Sequence, residues 1–177
     1  MAATTGASVP LQYKTLTMAR PDKGIEKELD VALGKPKYYI VTSGKKEGER
    51  YSWFPTSGDS MRDNTFRSIP GGSLVLGRWL PIKTIQDIPL HQPIVVVFND
   101  NGQQYCILKT VCKIKMDTAD REAMLSLRSY NPAPRCDDFW LPFCCLKFIF
   151  IVERVRRPDD SEFVPEQEEV IRKNADK

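Results

Sequence analysis

The chain has 177 residues, with 26 lysines and arginines, 23 aspartates and glutamates, and a single histidine, His91. This length suits one domain with extensions, and an apolar content of 41% is enough to form a core. A net charge of +3 is too small to indicate nucleic-acid binding by itself. One histidine excludes a zinc site with several histidine ligands, and we expect no metal and no cofactor.

Residues 1–36 are interpreted as an N-terminal arm, because Pro10, Pro21 and Pro36 interrupt them. Only residues 23–33 have the apolar spacing of a short helix, so no DNA-binding helix-turn-helix is predicted. No signal-peptide pattern opens the chain, and the longest apolar run is too short to span a bilayer. The sequence therefore predicts a cytoplasmic protein with reduced cysteines.

Residues 37–157 change to short β-forming runs that are separated by turn signals. The predicted strands cover residues 38–42, 51–54, 73–80, 93–98, 104–114, 123–128 and 146–155. Residues 99–102 carry Asn-Asp-Asn-Gly between two of these runs, which predicts a hairpin. Without helical spacers, the pattern predicts a mainly β, mainly antiparallel domain over residues 37–157.

The last segment, residues 158–177, carries seven acidic and three basic side chains. A charge run at a chain end is typical of a solvated tail. Residues 166–173 have the composition of a short exposed helix.

One pair of residues has the character of a catalytic site. The turn Ser57-Gly58-Asp59-Ser60-Met61 contains a candidate nucleophile, Ser60, and Lys109 lies within a strongly apolar strand. Strand alternation places Lys109 on one face with Ile107 and Val111, and both faces are largely apolar. Desolvation there would lower the pKa of a lysine, and a serine beside a neutral lysine can replace a Ser-His-Asp triad. Lys113 and Lys115 share that alternation, but they lie nearer the end of the strand.

The turn itself also suggests oxyanion binding. Gly58 permits a sharp reversal, which would expose the backbone amides of Ser60 and Met61 as oxyanion donors. These features alone do not establish catalysis, since a Gly-Asp-Ser serine is usually a turn residue and a strand lysine usually reaches solvent. His91 lies between Pro89 and Pro93 and is interpreted as a loop residue.

Four segments in order resemble the peptidase domain of the LexA/UmuD/phage-repressor family, over roughly residues 50–155. The first two are the Gly58-Asp59-Ser60-Met61 turn and the run through Gly71-Gly72-Ser73. The others are the Lys109 strand and a Leu-x-Ser-x-Asn-Pro segment, Leu127-Arg128-Ser129-Tyr130-Asn131-Pro132, followed by a closing strand over residues 148–155.

The resemblance implies curled antiparallel sheets of the β-clip type, with Ser60 as nucleophile and Lys109 as general base. It further implies a homodimer that cuts a peptide bond in its own N-terminal arm. The expected context is an SOS-type DNA-damage response, with repressor regulation or assistance to a lesion-bypass polymerase. Signal peptidases share the dyad, but they carry a membrane anchor that this sequence lacks.

Two departures from the family pattern leave alternatives open. In the family, acidic residues flank the second glycine. Here Gly72 matches that glycine, but Gly71 and Ser73 replace the acidic residues on either side. The usual Ala-Gly or Cys-Gly scissile dipeptide is absent, and the chain offers Lys23-Gly24, Leu33-Gly34 and Ser43-Gly44 before Ser60 instead. A tight pocket for a small residue would exclude Lys23. The alternative is a non-cleaving dimerisation or interaction module of a phage-repressor-like regulator, with any DNA-binding part on another chain.

Overall fold

The computed structural model describes residues 46–116, 123–132 and 139–165, together with the backbone of two short strands nearer the N-terminus. The ten strands are β1 Tyr13–Lys14, β2 Tyr38–Tyr39, β3 Tyr51–Pro55, β4 Leu74–Leu80, β5 Pro93–Asp100, β6 Gln103–Met116, β7 Ala123–Arg128, β8 Phe139–Pro142, β9 Leu146–Arg156 and β10 Glu162–Phe163. Two 3-10 turns, Ile85–Asp87 and Phe143–Cys145, are the helical elements of this described part.

The strands form one open sheet in the order β2-β1-β3-β4-β9-β5-β6-β7-β8, and β10 pairs with β9. Every pair is antiparallel except β1 with β2. The prediction of a mainly β, mainly antiparallel fold is therefore confirmed. Among the residues described, no helix is long and apolar enough to cross a membrane.

The predicted hairpin at residues 99–102 is confirmed. Asp100 pairs with Gln103, which leaves Asn101 and Gly102 as a two-residue loop with positive φ angles of 48° and 77°. Two positive φ angles define the turn type whose twist matches that of paired antiparallel strands. The predicted helices at residues 23–33 and 166–173 lie outside the described residues.

Three strands, β1, β8 and β10, were not predicted from the sequence. β8 has only four residues and ends in Pro142, which is tolerated because β8 is an edge strand of the sheet. β10 lies within the predicted acidic tail, where Phe163 pairs with Val155 of β9. The first part of that tail is therefore packed onto the sheet.

Both faces of the central strands are buried. Val95 and Val97 of β5 contribute to one core cluster, and Ile94 and Val96 contribute to another. At the centre of the first cluster, the Phe54 and Phe150 rings meet edge to face with their centroids 4.9 Å apart. The two rings leave little free volume beside β4 in this cluster.

Gly77 of β4 faces these two rings. A Cβ atom there would lie 2.8 Å from Phe150 Cβ and 2.9 Å from Phe54 Cε2. We expect Gly77→Ala to lower the free energy of unfolding by about 1–3 kcal/mol, because overpacking forces the two rings out of their positions. Urea unfolding measures the change, and a variant within about 0.5 kcal/mol of wild type would contradict this description of the core.

Candidate active site

Ser60 lies in the turn that follows β3. Its side chain is 1% exposed, whereas Ser57, Gly58 and Asp59 just before it are exposed. Gly58 has a φ angle of 77°, a conformation that glycine adopts without steric cost. The chain therefore reverses on the surface and returns Ser60 to the interior.

A second turn, at residues 70–73, supports the start of this loop through Thr56. The Thr56 hydroxyl donates to the carbonyls of Pro70 and Ser73 at 3.1 and 3.0 Å. The backbones are also paired, since Thr56 N donates to Ser73 O and Gly72 N donates to Thr56 O, both at 2.8 Å. These hydrogen bonds hold Thr56 in place, and Thr56 is where the loop that carries Ser60 begins.

The same turn explains the glycine at position 71. A Cβ atom on Gly71 would lie 3.0 Å from the carbonyl oxygen of Gly58. A side chain of any size would therefore push on the backbone just before Ser60. A glycine at position 71 therefore suits the close approach of the two turns.

The residue after Ser60 anchors the loop in the core. Met61 and Ile69 are fully buried in the cluster that contains Leu108 of β6. Ile69 N donates to Met61 O at 2.8 Å, so the two ends of the 61–69 loop are joined. The backbone is consequently anchored on both sides of Ser60, at Thr56 before it and at Met61 after it.

Lys109 lies in the middle of β6 and is 4% exposed. Its neighbours Leu108 and Ile107 enter the two different core clusters, in agreement with the predicted alternation. A buried lysine at this position differs from the usual strand lysine, whose ammonium group reaches solvent.

Lys113 and Lys115 do not share the face of Lys109, contrary to the alternation read from the sequence. The register of β6 against β7 shifts between Val111 and Lys113, because Cys112 forms a bulge. A bulge inserts one residue and turns the side chains after it to the opposite faces. Both lysines are exposed.

Residues 129–131 connect Lys109 with the Ser60 turn. Lys109 Nζ donates to Ser129 Oγ at 2.7 Å, and both side chains are buried. Two residues further on, Asn131 N donates to the carbonyl of Ser60 at 2.9 Å, and Asn131 Nδ2 donates to the carbonyl of Asp59 at 3.0 Å. One short segment therefore contacts both predicted dyad residues.

These hydrogen bonds also fix the peptide planes that bear the predicted oxyanion donors. The carbonyl of Ser60 points at Asn131, and a trans peptide directs the amide of Met61 the opposite way. The carbonyl of Asp59 accepts from Arg62 N at 3.0 Å and from Asn131, which orients the amide of Ser60 in the same manner. The use of these amides as oxyanion donors stays a prediction.

Two partly buried side chains near Lys109 and Ser129 in the sequence, Tyr130 and Cys106, have raised pKa values. Burial raises the pKa of the Tyr130 hydroxyl, which keeps it protonated near neutral pH. Burial also raises the pKa of the Cys106 thiol to about 12. His91 is exposed in a loop with a φ angle of 61°, as the sequence predicted.

The Asp59 carboxylate lies on the surface, 3.9 Å from Arg62 Nη1. An exposed pair at this distance contributes little to stability.

Sequence reasoning did not single out Ser129 or Asn131 as individual site residues. Both belong to the Leu-x-Ser-x-Asn-Pro segment, so the signal was present in the sequence. Their contacts depend on the pairing of β6 with β7. This pairing brings together residues 109 and 129, which are 20 positions apart in the sequence.

The Ser129 hydroxyl should stabilise the buried Lys109 side chain. We expect Ser129→Ala to lower the free energy of unfolding by about 1–3 kcal/mol, because Lys109 Nζ loses a buried acceptor. Ser52→Ala is the matched control, since Ser52 Oγ is buried without a hydrogen-bond partner within the described part of the chain. Equal effects of the two substitutions in urea unfolding would contradict the assignment.

Comparisons of the chain with protein-family models, with curated proteins and with solved structures find no match.

Proposed function

We propose that this chain is a serine-lysine peptidase that cleaves its own N-terminal arm, in the manner of LexA and UmuD. The observation that carries the proposal is the shared contact of Lys109 and Ser60 with residues 129–131. Both side chains are buried, and both belong to segments that resemble the family's catalytic motifs. If Lys109 and Ser60 had only structural roles, there would be no reason for one short segment to contact both of them.

In the proposed reaction, neutral Lys109 accepts the proton of Ser60 as Ser60 Oγ attacks a carbonyl carbon of the arm. The amides of Ser60 and Met61 stabilise the oxyanion. The Lys109 ammonium then protonates the departing amine as the peptide bond breaks, which leaves an ester on Ser60. Lys109 next accepts a proton from water as the water oxygen attacks the ester. The Lys109 ammonium returns that proton to Ser60 Oγ as the ester bond breaks, which releases the new carboxyl group and restores Ser60 and neutral Lys109. Ser129 Oγ would orient the lysine amine throughout.

The arm is a suitable substrate because β1 lies beside the strand that leads to the nucleophile. Tyr13 of β1 pairs with Trp53 of β3, and β3 runs directly into the Ser60 turn. Self-cleavage needs only a short segment of this arm to reach Ser60. The pairing of β1 with β3 supports access of the arm to Ser60, but it does not identify the peptide bond that is cut.

The proposed biological role is that of a homodimeric regulator in a DNA-damage response, with a lesion-bypass polymerase or another response protein as partner. Trp140 is 46% exposed on β8, the edge strand of the sheet. Exposed aromatic rings of this kind are enriched at protein interfaces, and an uncovered edge can pair with a second copy.

The Lys109→Met variant tests the proposal together with the pH dependence of the wild type. The wild-type cleavage rate should rise as the pH increases from 7 to 10, because the general base must lose its proton before it can act. Lys109→Met keeps a long unbranched side chain, one heavy atom shorter than lysine, but has no base, so it should remain uncut across this range. A pH-independent rate, or cleavage by Lys109→Met, would contradict the proposed mechanism.

A further inference from the structure

Arg157, the residue after β9, joins three parts of the structure around the loop that follows Ser60. Its Nε donates to Ser68 O at 3.0 Å, and its Nη2 donates to Phe66 O. Its guanidinium carbon lies 4.3 Å from the centroid of the Phe163 ring. A planar guanidinium can donate to two carbonyls and stack on a ring simultaneously, which a lysine cannot do.

The turn that follows Arg157 completes this arrangement. Arg157 N donates to Ser161 O at 2.8 Å, and Asp160 N donates to Arg157 O at 3.0 Å. Phe163 is held in place by its pairing with Val155. The sequence interpretation ended the domain at residue 157, but these contacts tie residues 158–163 to the nucleophile loop.

Besides the contacts of Arg157, the middle of the 61–69 loop contacts the rest of the described domain through Arg67, whose guanidinium carbon lies 5.9 Å from the centroid of the Tyr130 ring. The loop is joined at its ends by the Ile69–Met61 hydrogen bond, and Asp63 N donates to Ser68 Oγ at 3.1 Å within it. Phe66 is 71% exposed, so its ring does not anchor the loop. The two carbonyl contacts of Arg157 are the ones that fix residues 66–68 against β9 and β10.

We infer that Arg157 is a positioning residue for Ser60, and that residues 158–163 belong to the catalytic unit. Arg157 acts on the reaction through the 61–69 loop, whose first residue, Met61, adjoins the nucleophile. This inference rests on the proposed peptidase function and adds to it a dependence on the C-terminal segment. A misplacement of about 1 Å in a catalytic group can cost about 10²-fold in rate.

The test compares Arg157→Ala with Arg156→Ala in the full chain. Arg156 is the adjacent exposed arginine, and its guanidinium pairs with Asp160 at 2.9 Å without touching the 61–69 loop. Self-cleavage is measured as a function of pH, at a temperature where circular dichroism shows all variants folded. Hydrogen exchange at the amides of residues 63–69 is measured in the same samples.

We expect Arg157→Ala to lower the plateau rate about 10–100-fold while the pH of the inflection stays unchanged. Protection of the amides at Asp63 and Ile69 should fall, whereas Arg156→Ala should match wild type in both measurements. Arg157→Lys should recover only part of the loss, because lysine cannot donate to both carbonyls in the same geometry.

Wild-type rate or wild-type exchange in Arg157→Ala would overturn the inference. If the wild type does not cleave at all, the proposed function fails separately. The exchange data then decide the loop-ordering part, and normal protection in Arg157→Ala would overturn it independently of catalysis.

Discussion

Replacement of Ser60 by alanine is expected to abolish self-cleavage while the fold is retained. Removal of a covalent nucleophile costs at least about 10³-fold in rate, because the remaining groups can only assist direct attack by water. The buried Ser60 side chain is small, so its loss opens a space of one hydroxyl group. Intact-mass spectrometry over a time course at alkaline pH measures the rate.

Ser57→Ala provides the control for this variant. Ser57 lies in the same turn, three residues before Ser60, but its side chain is exposed. It should cleave within about twofold of wild type, since surface substitutions away from a site have small effects. Equal rates for Ser60→Ala and wild type would leave the non-cleaving interaction module as the better description of the chain.

Replacement of Phe150 by alanine is expected to lower the free energy of unfolding by about 3–5 kcal/mol. Phe150 is fully buried at the centre of β9, where it pairs with Trp79 of β4 and with Val95 of β5. Its removal leaves a cavity against Phe54 in addition to the lost apolar contacts. A loss of this size is a large part of the 5–15 kcal/mol typical of a domain.

Phe66→Ala is the matched control for the core substitution. Phe66 is the same residue type, but it is 71% exposed, so its removal should change stability by less than about 0.5 kcal/mol. Urea unfolding of both variants gives the comparison. Similar midpoints for the two would show that Phe150 does not occupy the core as described.

Local patterns were sufficient to predict most of the sheet. The strands over residues 93–98 and 104–114 are long, rich in β-branched residues and separated by Asn101-Gly102, so period, composition and turn chemistry agree. β8 was missed because Phe139–Pro142 offers only four residues and a terminal proline. Its strand character comes from pairing with β7, which is a tertiary effect.

The candidate site was only partly predictable for the same reason. Ser60 and Lys109 each have a local signature, namely a glycine turn and a lysine in an apolar strand. The bulge at Cys112 has no comparable signature, so the faces of Lys113 and Lys115 were predicted incorrectly. Ser129 and Arg157 acquire their contacts through partners 20 and about 90 positions away, which no local pattern reveals.

The most direct measurement is the intact mass of the purified wild-type chain after incubation at alkaline pH. We expect two fragments whose masses sum to the parent mass plus one water, with the cut within residues 1–36. The half-time should not depend on protein concentration, because the proposed reaction is intramolecular. A single unchanged mass throughout the incubation, with the chain still folded, would contradict the central claim.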